Sequence, residues 1–170
     1  LRTALETMGC ELLLDKAWGW RHALPAHEIL VKNPENRGTI RGEPDTWTAQ
    51  LWRETYGFKN SGEISTPETR EFVWDYIKGP GDKREGWELT DIENPEARRV
   101  VGFMNPIFHP EKPKRITVKW ASVFIGAMIG EFTVDWGLMM KTIVDRQVAN
   151  LRKTKKQATC LPSFLIHLYR

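Results

Sequence analysis

The sequence predicts a mainly α fold: an irregular multi-helix domain with at most a short β-hairpin or strand near residues 39–42. Three observations predict it. Apolar residues recur at helical spacing in several segments. Ser, Thr or Asn stands at the head of most of those segments, often followed by Pro and Glu. Clusters of Gly and Pro separate them. The 170 residues fit one domain, or one domain with a flap, and a composition 41% hydrophobic and 28% charged supports a real core. We therefore read 1–170 as a single helical domain, with a small β element in the N-terminal half, 1–80, and a helical C-terminal half, 94–170. Both ends look cut, since the chain starts at Leu1 and stops inside the apolar, helix-like pattern Leu165–Arg170.

From the N-terminus, Thr3–Trp18 places Leu5, Met8, Leu12 and Leu13 at helical spacing, and Pro25 ends the segment after it. Glu28–Asp45 reads as turn and loop, with Asn33–Pro34, Arg37–Gly38 and Arg41–Pro44 as its signals and Thr39–Ile40–Arg41 as a short strand. Asp45 or Thr46 then caps a helix carrying Trp47, Leu51, Trp52 and Tyr56, which Gly57 stops in a left-handed conformation. Ser65 and Glu68 make a capping box around Pro67, and that helix runs to about Lys78 with Phe72, Val73, Tyr76 and Ile77 on one face. Gly79–Pro80–Gly81 ends it. Asp82–Glu93 is polar and irregular, anchored by Trp87 and Leu89.

Asn94–Pro95–Glu96 opens the next helix, whose buried stripe is Ala97, Val100, Val101 and Met104. Pro106, Pro110 and Pro113 predict an extended loop over Asn105–Lys114. Thr117 caps the most apolar helix, with Trp120, Ala121, Phe124, Ile125, Met128 and Ile129. After a break at Gly130–Thr133, a long helix runs from about Val134 to Lys153 with Trp136, Met140, Ile143, Val144, Val148 and Leu151 as its apolar set. Arg152–Lys156 is a basic connector, and Leu161–Pro162–Ser163 starts a last helix. The eight tryptophans are spread along the whole chain, which points to a broad core rather than one aromatic site.

Composition narrows the function classes. A net charge of +3 is mild for a dedicated nucleic-acid binder. Cys10 and Cys160 lie far apart without CxxC spacing, which favours a reducing, intracellular location, nuclear or cytoplasmic. Trp120–Met140 is strongly apolar, and Gly126–Gly130 is formally a GxxxG. The uninterrupted part, Ala121–Gly130, is too short to span a bilayer, and Glu131 and Asp135 break the apolar character beyond it. A buried core helix is expected there and no membrane role.

No catalytic signature is present. The chain has no G-x-x-x-x-G-K-[ST], no G-x-G-x-x-G and no G-x-S-x-G. His22, His27, His109 and His167 have no zinc-ligand spacing. His109 reads as an exposed turn residue beside Pro110, and His167 as a core or boundary imidazole. Glu68, Glu96 and Asp135 sit where capping and the helix dipole explain them, and Glu131 and Asp135 fit a solvated turn between helices. No catalytic residue, metal ligand or cofactor is expected, and the chain is not expected to be an enzyme.

The strongest charged feature is basic: Arg146, Arg152, Lys153, Lys155 and Lys156. Such a run can meet phosphate or RNA, or serve as a nuclear-import address. The plainer reading is a solvated helix end, where the dipole favours cations and no aromatic is interleaved for stacking. Convergence of these side chains with Arg21, Lys114, Arg115 or Lys119 on one face would favour nucleic acid.

Arg99–Asn105, Pro110, Ile116–Thr117–Val118, Phe124–Gly130, Val134–Ile143 and Leu161–Ile166 stand in an order that resembles the plant transposon protein domain, found in plant retrotransposon-type open reading frames. In the first half, Thr39–Gly42 with Trp47–Gly57 looks like the same family's strand-and-helix segment. The chain is more polar than that pattern over Gly79–Trp87. The resemblance implies a mostly helical domain of a mobile-element protein, not an enzyme by itself, and carries no functional residues with it. The expected function is protein–protein contact or self-association. The alternative is nucleic-acid binding through Arg146–Lys156.

Overall fold

The computed structural model describes residues 1–16, 37–40, 43–46, 48–60, 71–77, 86–109, 112 and 114–154, with the backbone alone for 16, 37–40, 43–46, 71 and 147–154. The fold is mainly α. Its described helices are α1 (Arg2–Thr7), α2 (Leu13–Lys16), α3 (Ala49–Tyr56), α4 (Pro95–Phe108), α5 (Val118–Ile129) and α6 (Trp136–Thr154). Two antiparallel pairs accompany them, β1 (Arg37–Ile40) with β2 (Glu43–Thr46), and β3 (Trp87–Glu88) with β4 (Arg115–Ile116). The chain forms two compact units, each discontinuous in sequence. One comprises Leu1–Glu11 and Gly62–Val134, the other Leu12–Ser61 and Asp135–Arg170.

In the first unit, α1 is shorter than the apolar spacing over Thr3–Trp18 predicts. Gly9 takes φ 71°, the Cys10 amide donates to the Leu5 carbonyl at 2.9 Å, and the Gly9 amide donates to Glu6 at 3.0 Å. That pair of bonds is a Schellman stop, with Leu5 and Cys10 both fully buried behind it. Within the segment expected as a helix up to Lys78, the described residues form a 3-10 helix over Glu71–Asp75, followed by an isolated bridge between Ile77 and Ile92. The capping box at Ser65–Glu68 lies outside the described residues.

Helix α4 starts as its sequence predicts. The Asn94 side chain accepts from the Ala97 amide at 3.0 Å, Pro95 occupies the first turn, and Ala97, Val100, Val101 and Met104 are buried. Its end corrects the expectation of a loop from Asn105: the helix continues through Pro106 to Phe108. A proline inside a helix costs about 3 kcal/mol. Burying Ile107 and Phe108, each worth about 1.5–3 kcal/mol, offsets that cost. The Pro106 ring itself faces solvent.

Helix α5 is the apolar helix expected. The Thr117 hydroxyl accepts from the Trp120 amide, and Ala121 through Ala127 are all buried. The formal GxxxG has a packing explanation. A Cβ on Gly126 would lie 2.2 Å from the Phe132 ring, so that glycine seats the ring. Gly130 ends α5 at φ 78°, in the left-handed region. Among the described residues no helix is long and apolar enough to cross a membrane. The β3–β4 pair, which falls outside the expected β element near 39–42, sets Trp87 opposite Ile116 and Glu88 opposite Arg115.

In the second unit, β1 and β2 form a hairpin in the register Arg37↔Thr46 to Ile40↔Glu43, which extends the short strand expected at Thr39–Arg41. The cap of α3 is Thr48, which accepts from the Leu51 amide at 3.1 Å, rather than Asp45 or Thr46. Gly57 ends α3 at φ 61°, as expected. Trp52, Tyr56 and Phe58 stack in sequence on its buried side, with ring centroids 5.9 and 5.8 Å apart. Helix α3 packs along α6, which buries Trp136, Met140, Ile143 and Val144. Helix α6 runs on to Thr154, as expected of a helix ending near Lys153, so Arg152 and Lys153 of the basic connector are helical.

Candidate functional site

The best-built polar cluster lies in the second unit. Arg53 grips Asp135 with Nε at 3.0 Å from Oδ1 and Nη2 at 2.6 Å from Oδ2, while its Nη1 donates to Gln50 at 3.1 Å. Asp135 is 2% exposed, and its Oδ1 also accepts from the Leu138 amide at 3.0 Å, which caps α6. The bond to Asp135 pushes the Arg53 guanidinium pKa further up. Gly137 lets the two helices approach, because a Cβ there would stand 2.8 Å from the Ala49 carbonyl oxygen. Asp135 is thus a buried, doubly engaged anchor, which corrects the expectation of a solvated turn. Oδ2 accepts from Arg53 of α3, and Oδ1 accepts from both Arg53 and the Leu138 amide of α6, so the cluster is a clamp between helices rather than an acid–base pair.

The expected basic run is brought together only in part. Arg146 is exposed on α6. Arg152 and Lys153 lie on the helical backbone of its last turn, while Lys155 and Lys156 lie outside the described residues. At about 100° per residue, Lys153 falls within about 20° of Arg146, whereas Arg152 is turned about 120° away. Lys141 pairs with Asp145 at 2.6 Å one turn earlier. Of the residues whose convergence would favour nucleic acid, Lys114, Arg115 and Lys119 are exposed in the first unit, and Arg21 lies outside the described residues.

A second basic surface emerges in the first unit, from the end of α4 to the first turn of α5. Lys112, Lys114, Arg115 and Lys119 are all exposed there. Asn105, fully buried, holds this segment from beneath: its Nδ2 donates to the Lys112 and Arg115 carbonyls, at 3.1 Å each. His109, expected as an exposed turn residue, caps α4 half-buried and stacks on Trp120 with centroids 5.7 Å apart. Trp120 stacks in turn on buried Phe124 at 5.5 Å. The proline count hid this site, since it made Asn105 look like loop rather than the last buried position of a helix.

Among the described residues no three His, Cys, Asp or Glu side chains group as a metal site. His22, His27, His167 and Cys160 lie outside them. Burial, and then the charge of Glu11, pushes the Cys10 thiol up, which keeps it protonated and unreactive. Comparison with protein-family models, with curated proteins and with solved structures finds no match.

Proposed function

We propose that this chain is a non-enzymatic helical module of a plant mobile-element protein, nuclear or cytoplasmic, that works by protein–protein contact, foremost with a second copy of itself. The observation that carries this reading is the length of α6. With 19 residues it is about 28 Å long, against about 12 Å for the eight residues of α3, the main described helix packed on it. The apolar register buried at Trp136, Met140, Ile143 and Val144 continues in sequence at Val148 and Leu151. An apolar helical stripe longer than the described helix packed on it is the kind of surface by which amphipathic helices associate. The order of motifs that resembles the plant transposon protein domain supports the origin.

The test is the pair Val148→Glu and Leu151→Glu. Association should be lost while the monomer keeps its melting temperature. A fall in monomer stability of several degrees would place both residues in the chain's own core and overturn the reading.

The second reading, nucleic-acid binding through Arg146–Lys156, is supported by the shared face of Arg146 and Lys153. The turn of Arg152 away from that face weakens it.

A further inference from the structure

We infer that the surface formed by Lys112, Lys114, Arg115, Lys119 and the His109–Trp120 stack binds single-stranded nucleic acid. This stretch of sequence is not the Arg146–Lys156 run, and the inference stands independently of the assembly reading. Phosphate binding needs several cations on one short stretch of surface, and base binding needs a flat ring at its edge. Both are present. The four cations occur within eight residues and all are exposed. Lys112, Lys114 and Lys119 make no ion pair among the described residues, while Arg115 stands opposite Glu88 in the strand pair. The one carboxylate in the sequence between His109 and Trp120 is Glu111, which lies outside the described residues.

The rings make a ladder. Phe124 is fully buried, Trp120 stacks on it at an interplanar angle of 26°, and His109 stacks on Trp120 at 24°. Trp120 and His109 are both partly exposed, so the ladder runs from core to surface and a base can meet it where the rings are exposed.

The segment is also held in shape before any ligand arrives. The Lys112 amide donates to the His109 carbonyl at 3.3 Å, the Arg115 amide to the Lys112 carbonyl at 3.2 Å, and buried Asn105 ties down two carbonyls of the same stretch. On the other side, Gly86 lies so close beneath Ile116 that a Cβ would come within 2.4 Å of its carbonyl oxygen. Residues tied by this many bonds lose little conformational freedom on binding. Its charge also runs against helix stability. Lys119 sits in the first turn of α5, which holds no acidic residue, although the positive end of a helix favours carboxylates. A cation where helix stability prefers an anion fits a surface that meets anionic partners.

The test is fluorescence anisotropy of the full chain with labelled single-stranded RNA, single-stranded DNA and duplex DNA, from low to physiological salt. The variants are Lys114→Glu/Lys119→Glu, His109→Ala and, as a control on α6, Arg152→Glu/Lys153→Glu. The expected result is binding to single strands that weakens with salt, with a log–log slope of about −2 to −3 for three or four phosphate contacts. Lys114→Glu/Lys119→Glu should abolish it, and His109→Ala should weaken it by roughly five- to a hundredfold, as removal of a stacking ring does. The α6 control should leave it unchanged. Absence of binding at low salt, equal affinity for duplex DNA, or loss confined to the α6 control would each overturn the inference. Circular dichroism of each variant confirms that a loss of binding is not a loss of fold.

Discussion

Arg53 and Asp135 lie 82 residues apart in sequence and meet as a two-pronged ion pair, with Nη2 at 2.6 Å from Oδ2 and Nε bonded to both carboxylate oxygens. The Arg53 side chain keeps 20% of its surface exposed and that of Asp135 only 1%. The two partners are therefore not equivalent. Removing Asp135 leaves an arginine that can reach water, whereas removing Arg53 strands a buried carboxylate.

The Arg53→Ala change should cost about 3 kcal/mol, the penalty for leaving a buried charge without its partner. In an Asp135→Asn background the same change should cost about 1 kcal/mol or less, because the stranded charge is gone. Denaturant melts of the two single variants and the double variant measure the coupling. Additive effects would show that the pair does not act as a unit.

Gly137→Ala tests how closely α3 and α6 pack. Alanine is the better helix former by about 1 kcal/mol. A Cβ 2.8 Å from the backbone oxygen of Ala49 cannot be absorbed by a side-chain rotation, and such overpacking costs about 1–3 kcal/mol. A net loss of stability is expected, and a stabilised variant would mean that the helices are free to part.

Asn105→Leu keeps the branched outline of the side chain, though at a larger volume, and removes the donor that holds the Lys112 and Arg115 carbonyls. The expected cost is about 2 kcal/mol, with faster amide exchange at Lys112 and Arg115. Unchanged exchange there would show that the segment holds its shape without Asn105.

Stability should also fall in alkali. Burial raises the pKa of the Cys10 thiol and the Tyr56 phenol above their ordinary values of 9.0 and 10.0. A raised folded pKa means that the folded chain keeps a proton the unfolded chain releases. The stability from each group is therefore complete below its unfolded value and is lost as pH rises above it. Stability should drop from about pH 9 by about 1.4 kcal/mol per pH unit for Cys10, and faster above about pH 10 once Tyr56 joins. In Cys10→Ala the first of these slopes should vanish. A flat profile from pH 8 to 10 in the unsubstituted chain would contradict the assignment.

The sequence is most legible where structure is local. Asn94, Thr117, Gly57 and Gly130 each act within one helical turn, so their chemistry shows in the neighbouring residues. Gly9 obeys the same local rule, but Leu12 and Leu13 continue the apolar spacing beyond it and mask the stop. Pro106 misleads because its helical cost is visible in sequence, while the burial of Ile107 and Phe108 that offsets it is tertiary. Strands of two residues, such as β3 and β4, carry too few positions to show an alternation. The Arg53–Asp135 clamp cannot be read at all, since nothing in the 82-residue separation marks the two as partners. Of the basic residues, the dense run at Arg152–Lys156 stands out by sequence alone. The cluster at Lys112–Lys119 is broken up by Pro113 and Ile116, and it becomes a surface only through Asn105 and the stack on Trp120.

The central claim is that the far end of α6 serves association, and sedimentation velocity over a hundredfold range of concentration tests it most directly. The expected result is a sedimentation coefficient that rises with concentration for the unsubstituted chain and stays at the monomer value for Leu151→Glu, with equal melting temperatures for the two monomers. A concentration-independent monomer that Leu151→Glu destabilises would contradict it, because the stripe would then belong to the chain's own core.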